Sequence, residues 1–338
     1  MRLNLFVALL LCATIGSAAA ETNLNGAGAT FPNPIYQKWF SEFHNARKDV
    51  TINYQSIGSG AGIKQVTAGT VDFGASDGPM NDEQISQTPF KIFHIPTVLG
   101  AVVPTYNVPG VSNDLKFPGD VLADIFLGKI KKWNDPRLAK DNPGVKFPDS
   151  DIVVVHRTDG SGTTYIFTDY LSKVSPDWAN SVKKGTSVNW PVGLGGKGND
   201  GVAGTVKQTE GSIGYVELIY ALQNKMAFGS VKNHDGKFIK ADLASVTAAA
   251  GSVKDMPDDF RVSITDAPGS KSYPISSFTW LLVPVEWSDA GKEKVFVEFL
   301  TWMVDKGQTL TAGLDYAPLP KAVADKVKAR IKEIKVKK

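Results

Sequence analysis

The chain has 338 residues, 42% hydrophobic, 10% aromatic and 21% charged, which excludes a disordered or collagen-like protein. At roughly 150 residues per domain, that length predicts about two domains. With 37 Lys and Arg against 34 Asp and Glu, the net charge of +3 excludes a nucleic-acid coat or a polybasic membrane binder. One cysteine rules out a disulfide framework, and His44, His94, His156 and His234 show no ligand spacing, so no metal is expected.

The chain begins with a basic Met1-Arg2, then runs apolar from Leu3 to Ile15 apart from Asn4 and Thr14, and then turns to small residues from Gly16 to Ala20. This pattern predicts a secretory signal peptide over residues 1–20, cleaved after Ala20. The apolar run is shorter than the roughly 20 residues of a membrane span. A lipid anchor on Cys12 would want a small residue where Leu11 stands. After cleavage the chain holds no cysteine and needs no redox chemistry to stay folded.

Ile35, Trp39 and Phe43 recur at helical spacing, so Pro34 to about Arg47 reads as a helix with proline in its first turn. Val50, Ile52 and Tyr54 alternate as a strand, Gly58 to Gly62 reads as a turn, and Ile63 to about Ala68 as a helix. Val71 to Asp77 is a short strand running into a loop, and Val98 to Val108 a longer extended run. A helix begins at Asp120 and passes through Ile125 and Phe126. Ile152 to Val155 is apolar throughout, as a parallel strand covered on both faces would be. A loop from Arg157 to Gly162 then leads into a helix through Tyr165, Phe167 and Tyr170. Gly201 to Gln208 reads as a helix, Ile213 to Leu218 as a strand, Ile275 to Val285 as extended and Glu293 to Val304 as an apolar helix. Val323, Val327, Ile331 and Ile334 mark a last amphipathic helix inside a basic tail, Lys321 to Lys338, that carries eight bases and two acids. Its basic face suits either solvent or a membrane surface. The whole is an α/β protein built as two units.

Three segments share one design, in which glycine with Ser or Thr leads into a helix: Gly26 to Phe31, Gly58 to Gly62, and Asp159 to Thr164. Glycine lets backbone N–H groups converge, and a helix N-terminus offers unpaired N–H groups and a positive dipole end, so such loops suit anions. Ordinary helix capping gives the same local pattern, and it is the recurrence that points to a site. Arg157, two residues before Asp159, carries a planar fork of donors matched to a tetrahedral oxyanion, although a surface ion pair with Asp159 satisfies the same spacing.

Asp77 is the odd member, since a carboxylate repels an anion unless that anion brings a proton. Monohydrogen phosphate does, and an ionised carboxylate only accepts hydrogen bonds; sulfate has no proton to give. A site built around that bond rejects an analogue lacking the donor. Capping of a helix at Pro79 is the competing reading of Asp77.

Gly193 to Gly198 fits G-x-G-x-x-G, with Glu217 about twenty residues on, yet Pro191 precedes it and Asn199-Asp200-Gly201 is expected to interrupt the helix a dinucleotide site requires. No G-x-x-x-x-G-K-[ST] is present, and neither Ser59 nor Ser161 lies in a G-x-S-x-G elbow. His156 is expected to face the sheet, alternating against Arg157.

Gly26 to Pro32, Val71 to Asp77, Asp159 to Thr163, Gly193 to Gly201 and Leu314 to Pro320 together resemble the phosphate-binding protein of the bacterial phosphate-specific ABC transporter. The similarity runs from about Asn23 to Pro320. It implies a two-lobed periplasmic binding protein fold of type II, each lobe a β-sheet flanked by helices, with dehydrated phosphate in the cleft between them. Lobe I would take residues 21–100 and 272–338, and lobe II residues 101–271. Phosphate would lie against the loop Ala29, Thr30 and Phe31, against Ser59, and against Ser161, Gly162 and Thr163. Arg157 would be the charged donor, Asp159 would hold the arginine, and Asp77 would accept the phosphate proton. The chain departs from the family pattern at Gly60, where a second serine is common, and at His156, where an arginine is found. The implied partners are inorganic phosphate and permease subunits driven by a separate ATPase subunit, with no cofactor, no nucleic acid and a monomeric ligand-binding subunit in the periplasm. Another tetrahedral oxyanion, such as sulfate or arsenate, and an exported phosphatase are the alternative readings; Asp77 argues against sulfate, and the histidine distribution against the phosphatase.

Overall fold

A computed structural model describes residues 21–111 and 114–337. The expected signal peptide, with Cys12, lies outside those residues. A single mixed sheet organises the chain in the order Val50–Ser56, Thr22–Gly28, Phe73–Ser76, Ser276–Pro284, Ile92–Asn107, Ser212–Glu217, Val153–Arg157 and Leu194–Gly196. Thr22–Gly28 runs parallel to both of its neighbours, Val50–Ser56 and Phe73–Ser76. At the other end, Val153–Arg157 runs parallel to Ser212–Glu217 and Leu194–Gly196. The apolar Ile152 to Val155 run is thus the covered parallel strand its composition predicts.

Two long antiparallel strands join these ends. Ile92–Asn107 pairs through Ile92 to Ala101 with Ser276–Pro284, and then through Val102 to Asn107 with Ser212–Glu217. One strand therefore passes from the first parallel group to the second and changes partner between Ala101 and Val102. The result is a two-domain α/β protein whose loops at the strand ends face one another.

Helices cover the sheet through the faces their sequences mark as apolar. In Asn33–Ala46, Ile35, Tyr36, Trp39, Phe40 and Phe43 are buried, and proline opens the first turn where a missing N–H costs nothing. Helix Ala290–Asp305 brings Phe296 and Phe299 against them, with Phe73 and Phe296 stacked at 4.9 Å and Phe40 and Phe299 at 5.4 Å. Each such ring removed from water stabilises the fold by about 1.5–3 kcal/mol before entropy is counted.

The long strand begins at Ile92 rather than Val98, other ends shift by up to three residues, and two helix starts differ from expectation for local reasons. The Gly58–Gly62 turn is already helical: the helix is Ser59–Thr67, because Gly58 takes φ +95° and lets the chain enter helix at the next residue. The later helix starts at Gly198 rather than Gly201 and runs to Gln208. Asn199-Asp200-Gly201 does not interrupt it; these residues form its first turn.

The basic tail folds back on the protein. Helix Lys321–Ile331 buries Val323, Val327 and Ile331, while Ile334 is buried just past its end. Lys335–Val336 then pairs in parallel with Glu286–Trp287. Lys326 pairs with Asp258 at 2.7 Å and Lys328 with Asp305, so acids of the same chain meet part of the basic face. Among the described residues no helix is long and apolar enough to cross a membrane.

Candidate oxyanion site between the two domains

The loops singled out by sequence come together where the two halves of the sheet face one another. From the first half come Ala29, Thr30 and Phe31, which follow strand Thr22–Gly28; Ser59, which opens its helix; and Asp77, which follows strand Phe73–Ser76. From the second half come Arg157 and the residues up to Thr163. Thr30, Phe31, Ser59, Asp77, Arg157, Ser161, Gly162 and Thr163 are all buried, and Asp159 is half-buried.

The two halves touch through these residues. Gly60 N–H donates to the Gly160 carbonyl at 2.8 Å, and Gly162 N–H donates to Ser59 Oγ at 3.0 Å. A Cβ at Gly162 would stand 2.4 Å from Asp77 Oδ2 and 2.5 Å from Ser59 Oγ, so only glycine permits this approach.

Arg157 is held from one side only. Nε donates to Asp159 Oδ1 at 2.8 Å and Nη2 to Oδ2 at 2.5 Å, and the arginine side chain is 1% exposed. The pair is therefore buried and bidentate rather than a surface contact. Asp159 takes up one edge of the fork, leaving Nη1, a buried donor with no hydrogen-bond partner among the described residues. Burial alone would raise the Asp159 carboxyl. The Arg157 guanidinium and the Gly198 N–H, at 3.0 Å from Oδ1, outweigh it and hold that group below the usual carboxylate range.

Asp77 is not a helix cap. The next helix, Asp82–Ser86, is capped by Asn81, and Asp77 Oδ1 instead accepts from Thr279 Oγ1 at 2.8 Å. Burial pushes the Asp77 carboxyl up to about 7, against the Thr279 hydroxyl, the Arg157 charge and the Ser59 hydroxyl, which pull it down.

The remaining candidates contribute in different ways. Ala29 lies in the loop but spends its N–H on the Ala75 carbonyl at 3.0 Å, and its own carbonyl accepts from the Tyr54 hydroxyl at 2.7 Å. It shapes the loop and supplies no donor. Ser161 caps its helix by accepting the Thr164 N–H at 3.0 Å, which leaves its hydroxyl proton to point elsewhere. Helix Asn33–Ala46, just past Phe31, has no side-chain cap, but Asn33 N–H donates to the Thr30 carbonyl at 3.2 Å and Pro34 has no N–H to offer. His156 is half-buried and stacks on Trp190 at 4.9 Å, while its Nδ1 lies 3.0 Å from the Arg157 carbonyl. Its ring therefore packs beside the site rather than supplying positive potential within it.

Comparison with known proteins gives the family. The family model of the PBP superfamily domain matches residues 13–306. The phosphate-binding protein PstS of Pasteurella multocida is 44% identical over 325 residues, covering 96% of this chain and 94% of that protein. The PstS of Haemophilus influenzae is 45% identical over 316 residues, covering 93% and 94%. The PstS of Methanocaldococcus jannaschii is 40% identical over 326 residues, covering 88% and 82%. The chain belongs to the PstS family of phosphate-binding proteins.

Solved structures agree on the fold. The high affinity periplasmic phosphate-binding protein PfluDING superposes with a TM-score of 0.74 at 22% identity, over 91% of this chain and 93% of that one. The phosphate binding protein of Stenotrophomonas maltophilia gives 0.70 at 20% identity, over 91% and 94%.

In this PstS-family chain the tertiary structure adds residues that sequence reasoning missed. Asn199 Nδ2 donates to Thr30 Oγ1 at 2.7 Å and to Thr163 Oγ1 at 3.1 Å. The Tyr220 hydroxyl donates to the Thr30 carbonyl and the Tyr316 hydroxyl to the Phe31 carbonyl, both at 2.6 Å. A partial signal for Asn199 was present: the Gly193 to Gly201 run is glycine-rich and leads into helix Gly198–Gln208, although it lacks the Ser or Thr of the other three loops. Tyr316 lay inside the Leu314 to Pro320 run. Thr279, inside an apolar strand, carried no such mark. Among the described residues no group of three His, Cys, Asp or Glu is placed to hold a metal ion.

Proposed function

We propose that this chain captures inorganic phosphate in the periplasm and hands it to the permease of a phosphate-specific ABC importer driven by a separate ATPase subunit, catalysing no reaction itself. The carrying observation is the buried Arg157 Nη1, which lacks a partner among the described residues, on a side chain whose charge is felt by the buried Asp77 carboxyl and whose loop leads to the buried Ser161 and Thr163. Unpaired, such a charged donor costs more than the 1–3 kcal/mol of a neutral one, and a bound oxyanion removes that cost.

In this reading Thr30, Phe31, Ser59, Arg157, Ser161, Gly162 and Thr163 bind the anion, Asp159 holds Arg157, Ala29 shapes the loop and Asp77 shares the ligand's proton. Arg157 and Asp159 nearly cancel in charge, so the dianion is stabilised mainly by oriented hydroxyls, N–H groups and helix N-termini. Lobe I takes residues 21–100 and 272–338 and lobe II residues 101–271, the strand Ile92–Asn107 crossing between them, and the lobes close over the ligand. Residues 1–20 are removed on export, and the mature subunit acts as a monomer without a cofactor. Several relatives carry the name phosphate-binding protein, which supports the ligand. The phosphatase reading finds little support: Ser59 Oγ accepts from the Asp77 and Gly162 N–H groups and reaches the Asp77 carboxylate only at 3.5 Å, Ser161 Oγ accepts from Thr164, and no histidine is a partner of either among the described residues.

Calorimetry on protein freed of ligand by unfolding, dialysis and refolding tests this. One-to-one heat from phosphate and none from sulfate at pH 8 is the expected result. Absence of phosphate binding overturns the proposal, and turnover of a phosphate ester lost in Ser161→Ala restores the phosphatase. A parallel titration with arsenate measures how far the site separates it from phosphate.

A further inference from the structure

Asn199 stands at the centre of a set of hydrogen bonds that leaves little choice of orientation. Its Oδ1 accepts the Glu217 N–H at 2.9 Å, which fixes which end of the amide is oxygen. Both Nδ2 hydrogens are then used, one on Thr30 Oγ1 at 2.7 Å and one on Thr163 Oγ1 at 3.1 Å. The Asn199 backbone N–H also points at Thr30 Oγ1, at 3.3 Å. Asn199 is fully buried, so water does not compete for these bonds.

A threonine hydroxyl has one proton and two lone pairs. An amide that donates to it occupies a lone pair and turns the proton away from itself. We infer that Asn199 is a positioning residue that turns the Thr30 and Thr163 hydroxyl protons toward the bound anion and ties the Thr30 loop of one domain to the Thr163 helix of the other. The inference rests on the phosphate-binding reading and goes beyond it in saying how these two hydroxyls are set as donors. Thr30 Oγ1, which accepts from both Nδ2 and the backbone N–H of Asn199, has no lone pair left for a protonated ligand oxygen, while Thr163 Oγ1 keeps one, so the ligand's single proton is turned away from Thr30 and favoured at Asp77. Neighbouring bonds polarise one another, so an accepting hydroxyl is also a stronger donor.

The near-isosteric Asn199→Asp reverses the arrangement: a carboxylate accepts from the two hydroxyls and draws their protons off the anion. The test is a double-mutant cycle with Thr163→Val, read by calorimetry with inorganic phosphate at pH 8. In the otherwise natural chain, Thr163→Val is expected to weaken phosphate at least tenfold. With Asn199→Asp already present, it is expected to weaken phosphate less than twofold further, because the hydroxyl no longer donates to the ligand. An equal penalty in both backgrounds means that Asn199 acts independently of the hydroxyl, and overturns the inference. Should Asn199→Asp lose its fold, Asn199→Ala replaces it: it frees the two hydroxyls without reversing them, so Thr163→Val is then expected to cost severalfold less than in the natural chain, and an equal penalty again overturns the inference. Failure of the natural chain to bind phosphate removes the functional reading itself and this inference with it, and is distinguished by the first titration.

Discussion

Gly60 and Gly160, one from each half of the sheet, meet backbone to backbone: the Gly60 N–H donates to the Gly160 carbonyl at 2.8 Å, and a Cβ on either would stand 3.0 Å from the other's Cα. A Cβ at either position would have to push the facing loop back by a few tenths of an ångström, and the contact joins the loop that presents Ser59 to the loop that presents Ser161. A branched side chain here props the halves apart. Gly160→Val is therefore expected to weaken phosphate binding by more than tenfold, since closure must be complete for Arg157, Ser59 and Thr163 to act together. Calorimetry reads the loss, and the melting temperature of the phosphate-free variant is expected to stay near that of the natural chain.

Arg157 carries a double role. Arg157→Ala removes the buried donor and leaves Asp159 without its counter-ion, and breaking a buried pair in this way costs about 3–5 kcal/mol. Phosphate affinity is expected to fall by at least a hundredfold and the melting temperature to drop as well. Removing both members, in Arg157→Ala with Asp159→Ala, restores part of the stability and none of the binding. Equal phosphate affinity in Arg157→Ala would falsify the assignment.

In the proposed reading Asp77 makes the selectivity depend on pH. Its carboxyl, pushed up to about 7 by burial, is ionised at pH 8 and offers sulfate only repulsion. At pH 6 it is largely protonated and has an O–H to donate to a sulfate oxygen. Sulfate is expected to compete with phosphate measurably at pH 6 and not at pH 8. Asp77→Asn, which always has a donor, is expected to admit sulfate equally at both. Competition calorimetry at the two pH values checks both, and sulfate exclusion that ignores pH contradicts the role given to this residue.

His94 governs acid stability away from the site. It is buried, its Nε2 accepts the Met80 N–H at 3.0 Å, and burial, helped by the Arg261 charge and opposed by Asp259, pushes it down to about 4 from 6.5. The unfolded chain therefore binds more protons than the folded one between those values. The stabilisation is complete above pH 6.5 and is lost as pH falls toward 4, by about 3 kcal/mol. His94→Gln keeps an acceptor that does not titrate, so its melting temperature is expected to fall less steeply from pH 7 to pH 4.5. Identical slopes would count against this account.

Much of this protein is legible along the chain. Helical spacing marked the buried face of Asn33–Ala46, the apolar run at Val153 announced a covered parallel strand, and the recurring glycine–hydroxyl loops marked Thr30, Ser59 and the Ser161 to Thr163 segment. These are properties of a few neighbouring residues, governed by backbone period and turn chemistry, and they survive in any correct fold of the sequence. Even the misplaced boundaries at Ser59 and Gly198 were local, each a helix start hidden by glycine.

What the tertiary structure decided are relationships between residues far apart in the chain. Thr279 reaches Asp77 across 202 positions, Asn199 reaches Thr30 across 169, and Tyr316 meets Phe31 across 285. No period or motif encodes such pairs, because they follow from the sheet order and from the strand Ile92–Asn107 changing partners at Ala101 and Val102. The same holds for charge: Asp77 and Asp159 are alike as residues, yet burial raises one while the Arg157 guanidinium lowers the other. Composition and local pattern set which groups an oxyanion could use; the packing of two domains around them set which of those groups donate, which accept and which stay charged.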